Sequence, residues 1–104
     1  MCLLISCTCK DEVEARKISN LLLEKRFAAC IQFEKITSFY VWQGKIVSEP
    51  EIKLVIKTLA TLYQQVEQVI LENHSYEVPE IIAHKIENGS ASYLDWINSV
   101  LRKN

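Results

Sequence analysis

The strongest constraint on how this chain folds is a pair of long β-rich segments separated by only a few residues. From Ala28 to Trp42 the sequence is dense in Ile, Phe, Tyr, Val, Thr and Trp. From Ile46 to Thr58 it alternates, with Ile46, Ser48, Ile52, Leu54 and Ile56 set against Val47, Glu49, Glu51, Lys53 and Lys57. Both patterns belong to strands. Gln43-Gly44 joins them as a tight hairpin, with Gly supplying the positive φ that a two-residue turn needs. Each arm runs to about 13 residues, against a usual ~5–6. At ~3.3 Å per residue an arm reaches roughly 40 Å, beyond a domain this small. The distal end carries Phe39, Tyr40, Val41 and Trp42, apolar surface that one copy cannot cover. A long open strand edge is an aggregation hazard unless another chain pairs with it. The hairpin thus predicts a homo-oligomer held through Phe39, Tyr40 and Trp42. Within the first arm the inward phase slips near Glu34-Lys35, which predicts a bulge or break. Pro50 cannot donate to a ladder and marks an edge or bulge in the second arm.

The remaining elements alternate around this hairpin. Residues 2–9 form a short, sulfur-rich strand. Asp11 and Glu14 stand at capping-box spacing and open a helix whose core stripe is Ile18, Leu21, Leu22 and Lys25, with Glu14, Arg16, Lys17 and Glu24 toward water, fading near Lys25-Arg26. Thr61 and Gln64 repeat the capping-box spacing before a helix striped by Leu62, Val66, Val69 and Ile70 that ends near Asn73. A loop from His74 to Glu80 leads to a strand at Ile81–Ile86, and Ser92 caps a last helix with Tyr93, Leu94, Ile97, Val100 and Leu101 on its apolar face. The order β-α-β-β-α-β-α is an α+β, split βαβ plan, an antiparallel sheet with helices on one face.

Length and charge remove several function classes. One hundred and four residues make one domain, 1–104. Twelve basic and thirteen acidic side chains leave a net charge of −1, without the basic excess of a nucleic-acid binder or the polybasic cluster of a membrane-surface protein. No apolar run approaches the ~20 residues of a membrane helix. Met1–Cys9 lacks the basic n-region of a signal peptide and reads as a buried strand. Three of the four cysteines crowd into the first nine residues, a poor disulfide framework, so reduced thiols in a cytoplasmic protein are expected.

Several segments together resemble the CutA divalent-cation tolerance family. They are Ala28-Ala29-Cys30, Ser38-Phe39-Tyr40-Val41-Trp42-Gln43-Gly44-Lys45, Ile56-Lys57-Thr58, His74-Ser75-Tyr76-Glu77-Val78-Pro79-Glu80-Ile81 and Tyr93-Leu94-Asp95-Trp96-Ile97. They cover nearly the whole chain in order. The resemblance implies a ferredoxin-like fold assembled as a tight homotrimer, similar in architecture to the PII signalling proteins. It also implies tolerance of copper or other divalent metal ions, with no obligatory cofactor. Two positions depart from the family pattern: Ser75 replaces a usual Pro, which should loosen the loop, and Asn73 stands where some members carry a second His.

On that resemblance Cys7 and His74 are the candidate metal ligands, since a thiol and an imidazole suit copper or zinc. Cys7 as a buried small hydrophobe and His74 as a helix C-terminal group are the structural alternatives. Cys7 and Cys9 point to one face, but on an extended strand their sulfurs are expected roughly 7 Å apart, which favours core packing. Cys30 reads as packing beside two alanines, and His84 as a strand residue. Tyr40, Trp42 and Lys45 at the hairpin tip offer either interface packing or a cleft for a small anion or metabolite, as in a PII-like signalling trimer. Glu77 and Glu80 offer oxygen to a hard cation or form a solvated turn. The sequence holds no glycine-rich phosphate loop, and Cys30 with His74 lacks an orienting partner for nucleophilic catalysis. A binding protein is expected, not an enzyme.

Overall fold

The computed structural model describes residues 1–103. Its elements are β1 (Cys2–Cys9), α1 (Glu12–Glu24), β2 (Cys30–Trp42), β3 (Lys45–Leu59), a 3₁₀ turn (Ala60–Leu62), α2 (Tyr63–Asn73), β4 (Ile81–Lys85) and α3 (Ala91–Val100). The strands form one antiparallel sheet in the order β2-β3-β1-β4, the ferredoxin-like arrangement of a split βαβ chain.

β3 serves two regions along its length. From Ile52 to Lys57 it pairs with β1 on one side and β2 on the other, whereas from Lys45 to Glu51 its strand partner is β2 alone. The distal half of the hairpin therefore runs out as a two-stranded arm. It stretches the molecule to 44 × 26 × 20 Å and raises the radius of gyration to 14.2 Å, against about 13 Å for a compact chain of this length. Gln43 and Gly44 both adopt positive φ, 51° and 77°, the backbone of a two-residue type I′ turn whose twist matches the strands.

The register between β2 and β3 is unbroken from Cys30↔Lys57 to Trp42↔Lys45, so the bulge expected at Glu34-Lys35 is not there. The phase slip has another origin. Ile31 and Phe33 are part-covered on the face packed by helices, whereas Ile36 and Ser38 are part-covered on the opposite face. The arm leaves the helices behind, and covering moves to the other side. Pro50, opposite Thr37, lies beyond the end of β1, on an edge where a missing N–H breaks no ladder to a third strand.

Helices α1 and α2 cover one face of the sheet. Ala15, Ile18 and Leu22 of α1 and Val66, Val69 and Ile70 of α2 join Ile5, Cys7, Cys9, Ile52, Leu54 and Ile56 in a single buried cluster. α3 departs from the expected single helical layer. Ile97, with Leu101 just beyond α3, forms a second cluster with Cys2 and Leu59, and Lys57 Nζ donates to Tyr93 Oη at 3.0 Å. Lys57 and Leu59 alternate with Ile56 and Thr58, so they point away from α1 and α2.

The helix starts are partly as expected. Asp11 Oδ1 accepts the Glu14 N–H at 2.9 Å. α2 begins through the 3₁₀ turn with Leu62 at its cap position, and α3 is preceded by Ser90, not Ser92. α1 closes in a Schellman motif: Phe27 N–H bonds to Leu22 O at 3.0 Å and Arg26 N–H to Leu23 O at 3.1 Å. This forces Arg26 to φ 62°, a conformation that disfavours any side chain with a Cβ. Arg26→Gly should stabilise the fold by roughly 0.5–1 kcal/mol, read as a rise of a few degrees in the melting temperature. A fall would show that the arginine side chain contributes more than its backbone strain removes.

Candidate functional site

The C-terminal end of β1 gathers three chemistry-bearing side chains. Cys7 and Cys9 project from the same face of the strand, and His74 follows the last residue of α2. Their ligand atoms all lie within 4.8 Å of one another. Cys7 and Cys9 are fully buried, and so is the His74 side chain. The spacing of roughly 7 Å expected for the sulfurs is corrected here. The backbone repeat sets the distance between Cα atoms, but the two side chains lean together. Cys9 is thus the ligand candidate that sequence reasoning set aside, although its position two residues from Cys7 was the available signal.

The ring of His74 is held at both nitrogens. Nε2 lies 2.7 Å from the Thr8 carbonyl oxygen, and Nδ1 lies 3.1 Å from the Tyr76 backbone nitrogen. A carbonyl can only accept and a backbone N–H can only donate, so Nε2 carries the proton and Nδ1 supplies the lone pair. Glu14 secures the next residue. Its Oε2 accepts the Ser75 N–H at 2.9 Å and its Oε1 the Lys10 N–H at 3.4 Å. Glu14 was expected to face water; it is buried, and its Oε1 sits 3.9 Å from His74 Nδ1. Ser75 was expected to loosen the loop. It instead ties the loop down, because it has the N–H that a proline lacks.

The electrostatics follow from this packing. Burial pushes the Glu14 carboxyl up, but hydrogen bonding from Ser75 and from the Lys10 N–H outweighs it and leaves the group below its ordinary value. The Cys7 thiol is driven well above the ordinary range, first by the neighbouring Cys9 thiol and then by burial. Cys7 is therefore held as a thiol, and a metal ion must displace its proton to bind.

The donor set fits a thiophilic ion. Metal–sulfur and metal–nitrogen bonds of about 2.3 and 2.0 Å place three donors roughly 3.5–4 Å apart. The trio would close by up to about 1.3 Å to reach that spacing, and His74 would exchange one hydrogen bond for the ion. Two sulfurs and an imidazole select Cu(I) or Zn(II) over Mg(II) or Ca(II).

The hairpin-tip residues divide. Tyr40 and Trp42 line a cavity of about 580 Å³ between the arm and the 74–80 loop, and Lys45 does not. Glu49, Glu51, Glu77 and Glu80 also line it, so the small anion considered for this cleft meets like charge. Tyr40 Oη donates to Glu49 Oε2 at 2.9 Å and Tyr76 Oη to Glu51 Oε2 at 2.7 Å. Phe39 borders the same cavity and is otherwise exposed. Cys30, opposite Lys57, and His84, opposite Leu4, stand elsewhere in the sheet.

Glu14→Gln keeps the shape of the loop anchor but removes its charge. It should cost about 1.5–3 kcal/mol in urea unfolding at neutral pH. Because the folded pKa of Glu14 is depressed, its contribution is present above the unfolded carboxylate pKa and is lost as pH falls through the folded value. The gap between parent and variant should therefore narrow on acidification. A gap independent of pH would show that the charge is not what holds the loop.

Comparison with known proteins agrees with this fold. The family model described as CutA1 divalent ion tolerance protein matches residues 3–100. The divalent-cation tolerance protein CutA of Thermus thermophilus is 38% identical over 91 residues, which cover 86% of this chain and 88% of that protein. Protein CutA of Mus musculus is 39% identical over 94 residues, covering 89% of this chain and 53% of the mouse protein. The chain thus spans about half the length of such mammalian relatives. Among solved structures, the periplasmic divalent cation tolerance protein CutA of Archaeoglobus fulgidus superposes with a TM-score of 0.96 at 36% identity, covering 98% of this chain and 100% of that one. CutA1 from Oryza sativa gives a TM-score of 0.95 at 29% identity, covering 99% and 95%. The chain belongs to the CutA1 divalent ion tolerance family.

Proposed function

We propose that this protein contributes to metal tolerance by binding copper or zinc through Cys7, Cys9 and His74. The observation that carries the reading is the convergence of three buried donor atoms within 4.8 Å at the end of β1. Relatives named for divalent-cation tolerance support it. The role is binding, and no residue is assigned a catalytic part. Four free cysteines suit a reducing, cytoplasmic location.

The working assembly is a homotrimer built through the hairpin. Phe39, Val41 and Ile46 at the arm tip are 73%, 71% and 83% exposed, an apolar surface of the kind that marks an interaction site. Tyr40 and Trp42 are less exposed, at 37% and 42%, because their inner sides line the cavity.

Native mass spectrometry of reduced protein titrated with Cu(I) or Zn(II) should show one tightly held ion per chain. Cys9→Ser should weaken that binding by at least about tenfold and leave assembly unchanged, since a serine fits the volume but not the softness of the site. Undiminished affinity in both Cys7→Ser and Cys9→Ser would remove the proposed site. Separately, Val41→Asp should weaken assembly by a few kcal/mol, seen as dissociation on dilution in analytical ultracentrifugation. An intact assembly at nanomolar concentration would exclude the arm tip as the contact.

A further inference from the structure

The histidine of the thiol cluster is also the anchor of the loop that follows it. The Tyr76 N–H donates to His74 Nδ1 at 3.1 Å, and His74 Nε2 lies 2.7 Å from the Thr8 carbonyl oxygen. The Tyr76 ring packs on the imidazole with centroids 4.8 Å apart, and its hydroxyl donates to Glu51 Oε2 at 2.7 Å. Glu51 stands immediately beyond the stretch of β3 that pairs with β1, which ends at Ile52. Tyr76 thus joins a fully buried imidazole to the root of the arm.

The protons on the ring decide what an ion does to this chain of contacts. A neutral imidazole has one lone pair and one N–H. If Nδ1 takes the ion, its lone pair is used and the Tyr76 N–H loses its acceptor. If Nε2 takes the ion, the ring proton must sit on Nδ1, which then becomes a donor and faces the Tyr76 N–H with like polarity. Glu14 Oε1, 3.9 Å from Nδ1, stands on that side to accept the new N–H, as the carboxylate partners of ligating histidines do. Both routes break the same bond. A backbone donor left unpaired in a half-buried place costs more than the bond contributed, so residue 76 has to move.

We propose, resting on the metal reading above, that the 74–80 loop is a strap latched to the metal-free imidazole and released by the ion, so that occupancy of the thiol cluster is transmitted through Tyr76 to the root of the arm. The latch and the ion compete for one ring. Each anchor of Tyr76 stabilises the latched loop against the ion, and by linkage the ion weakens that anchor by the same factor. The Tyr76 hydroxyl bond to Glu51 is the anchor farthest from the donor atoms, so removing it alters the latch without touching a ligand.

The test uses the reduced, isotope-labelled protein in its assembled form, metal-free and with one Zn(II) per chain. The NMR scalar coupling across the hydrogen bond between the Tyr76 amide nitrogen and His74 Nδ1 reads the latch directly. It should be present without metal and absent with Zn(II). Tyr76→Phe should raise Zn(II) affinity by about fivefold or more in competition with a chromophoric chelator. Tyr63→Phe, which loses a comparable hydroxyl bond to Glu67 on α2, should leave that affinity unchanged. Zn(II) binding that is lost in Cys9→Ser, together with a coupling that persists in the loaded parent, would overturn the strap and leave the metal site standing. Unchanged or reduced affinity in Tyr76→Phe would overturn the strap as well. Zn(II) uptake indifferent to both Cys7→Ser and Cys9→Ser would remove the metal site and the strap together.

Discussion

The length of β3 is the constraint on which the rest of the structure depends. Its inner half lies between β1 and β2, and its outer half has β2 alone. Pairing with β1 ends at Cys9↔Ile52. That end point sets where the helix-covered core stops, where the arm begins to project, and where the 74–80 loop can fold back against the sheet. The thiol site and the cavity beneath the arm both lie at this boundary. The thiol trio faces α1 and α2 on one side of β1, and the acidic cavity opens on the other.

The loop after α2 links these sites mechanically. His74 bonds to the Thr8 carbonyl, Ser75 to Glu14, and Tyr76 to Glu51. Three consecutive residues thus pin three different elements, β1, α1 and β3. A protein that takes up an ion at Cys7, Cys9 and His74 must reshape one of the two hydrogen bonds on the histidine ring. That change would be felt along the loop as far as Tyr76, whose hydroxyl lies against the cavity. The pairing of a buried soft-donor cluster with a strapped loop distinguishes this site from an open surface ligand pair.

Much of this was legible in the amino-acid sequence, for identifiable reasons. Alternation from Ile46 to Ile56 and the Gln43-Gly44 turn are local signals, and they located the hairpin and its excess length. Asp11 and the stripe Val66, Val69, Ile70 were legible in the same way. The failures are tertiary. The phase slip at Glu34-Lys35 looked like a bulge because one strand was assumed to keep one covered face, whereas the arm changes faces when it passes the helices. Glu14 carries a charge at a helix start and reads as solvated until Ser75 supplies an N–H from 61 positions away. Cys9 was set aside because Cα spacing was taken for sulfur spacing. Nothing in the periodicity of Tyr93, Leu94, Ile97 and Leu101 says which face of the sheet that helix will cover; the alternation of Lys57 and Leu59 with Ile56 decides it.

Zinc-edge X-ray absorption of the reduced protein, loaded with one Zn(II) per chain, reads the donor atoms themselves. Binding by Cys7, Cys9 and His74 gives two sulfur scatterers at about 2.3 Å and an imidazole nitrogen at about 2.0 Å. A shell of nitrogen and oxygen alone at about 2.0 Å, with no sulfur, would contradict it.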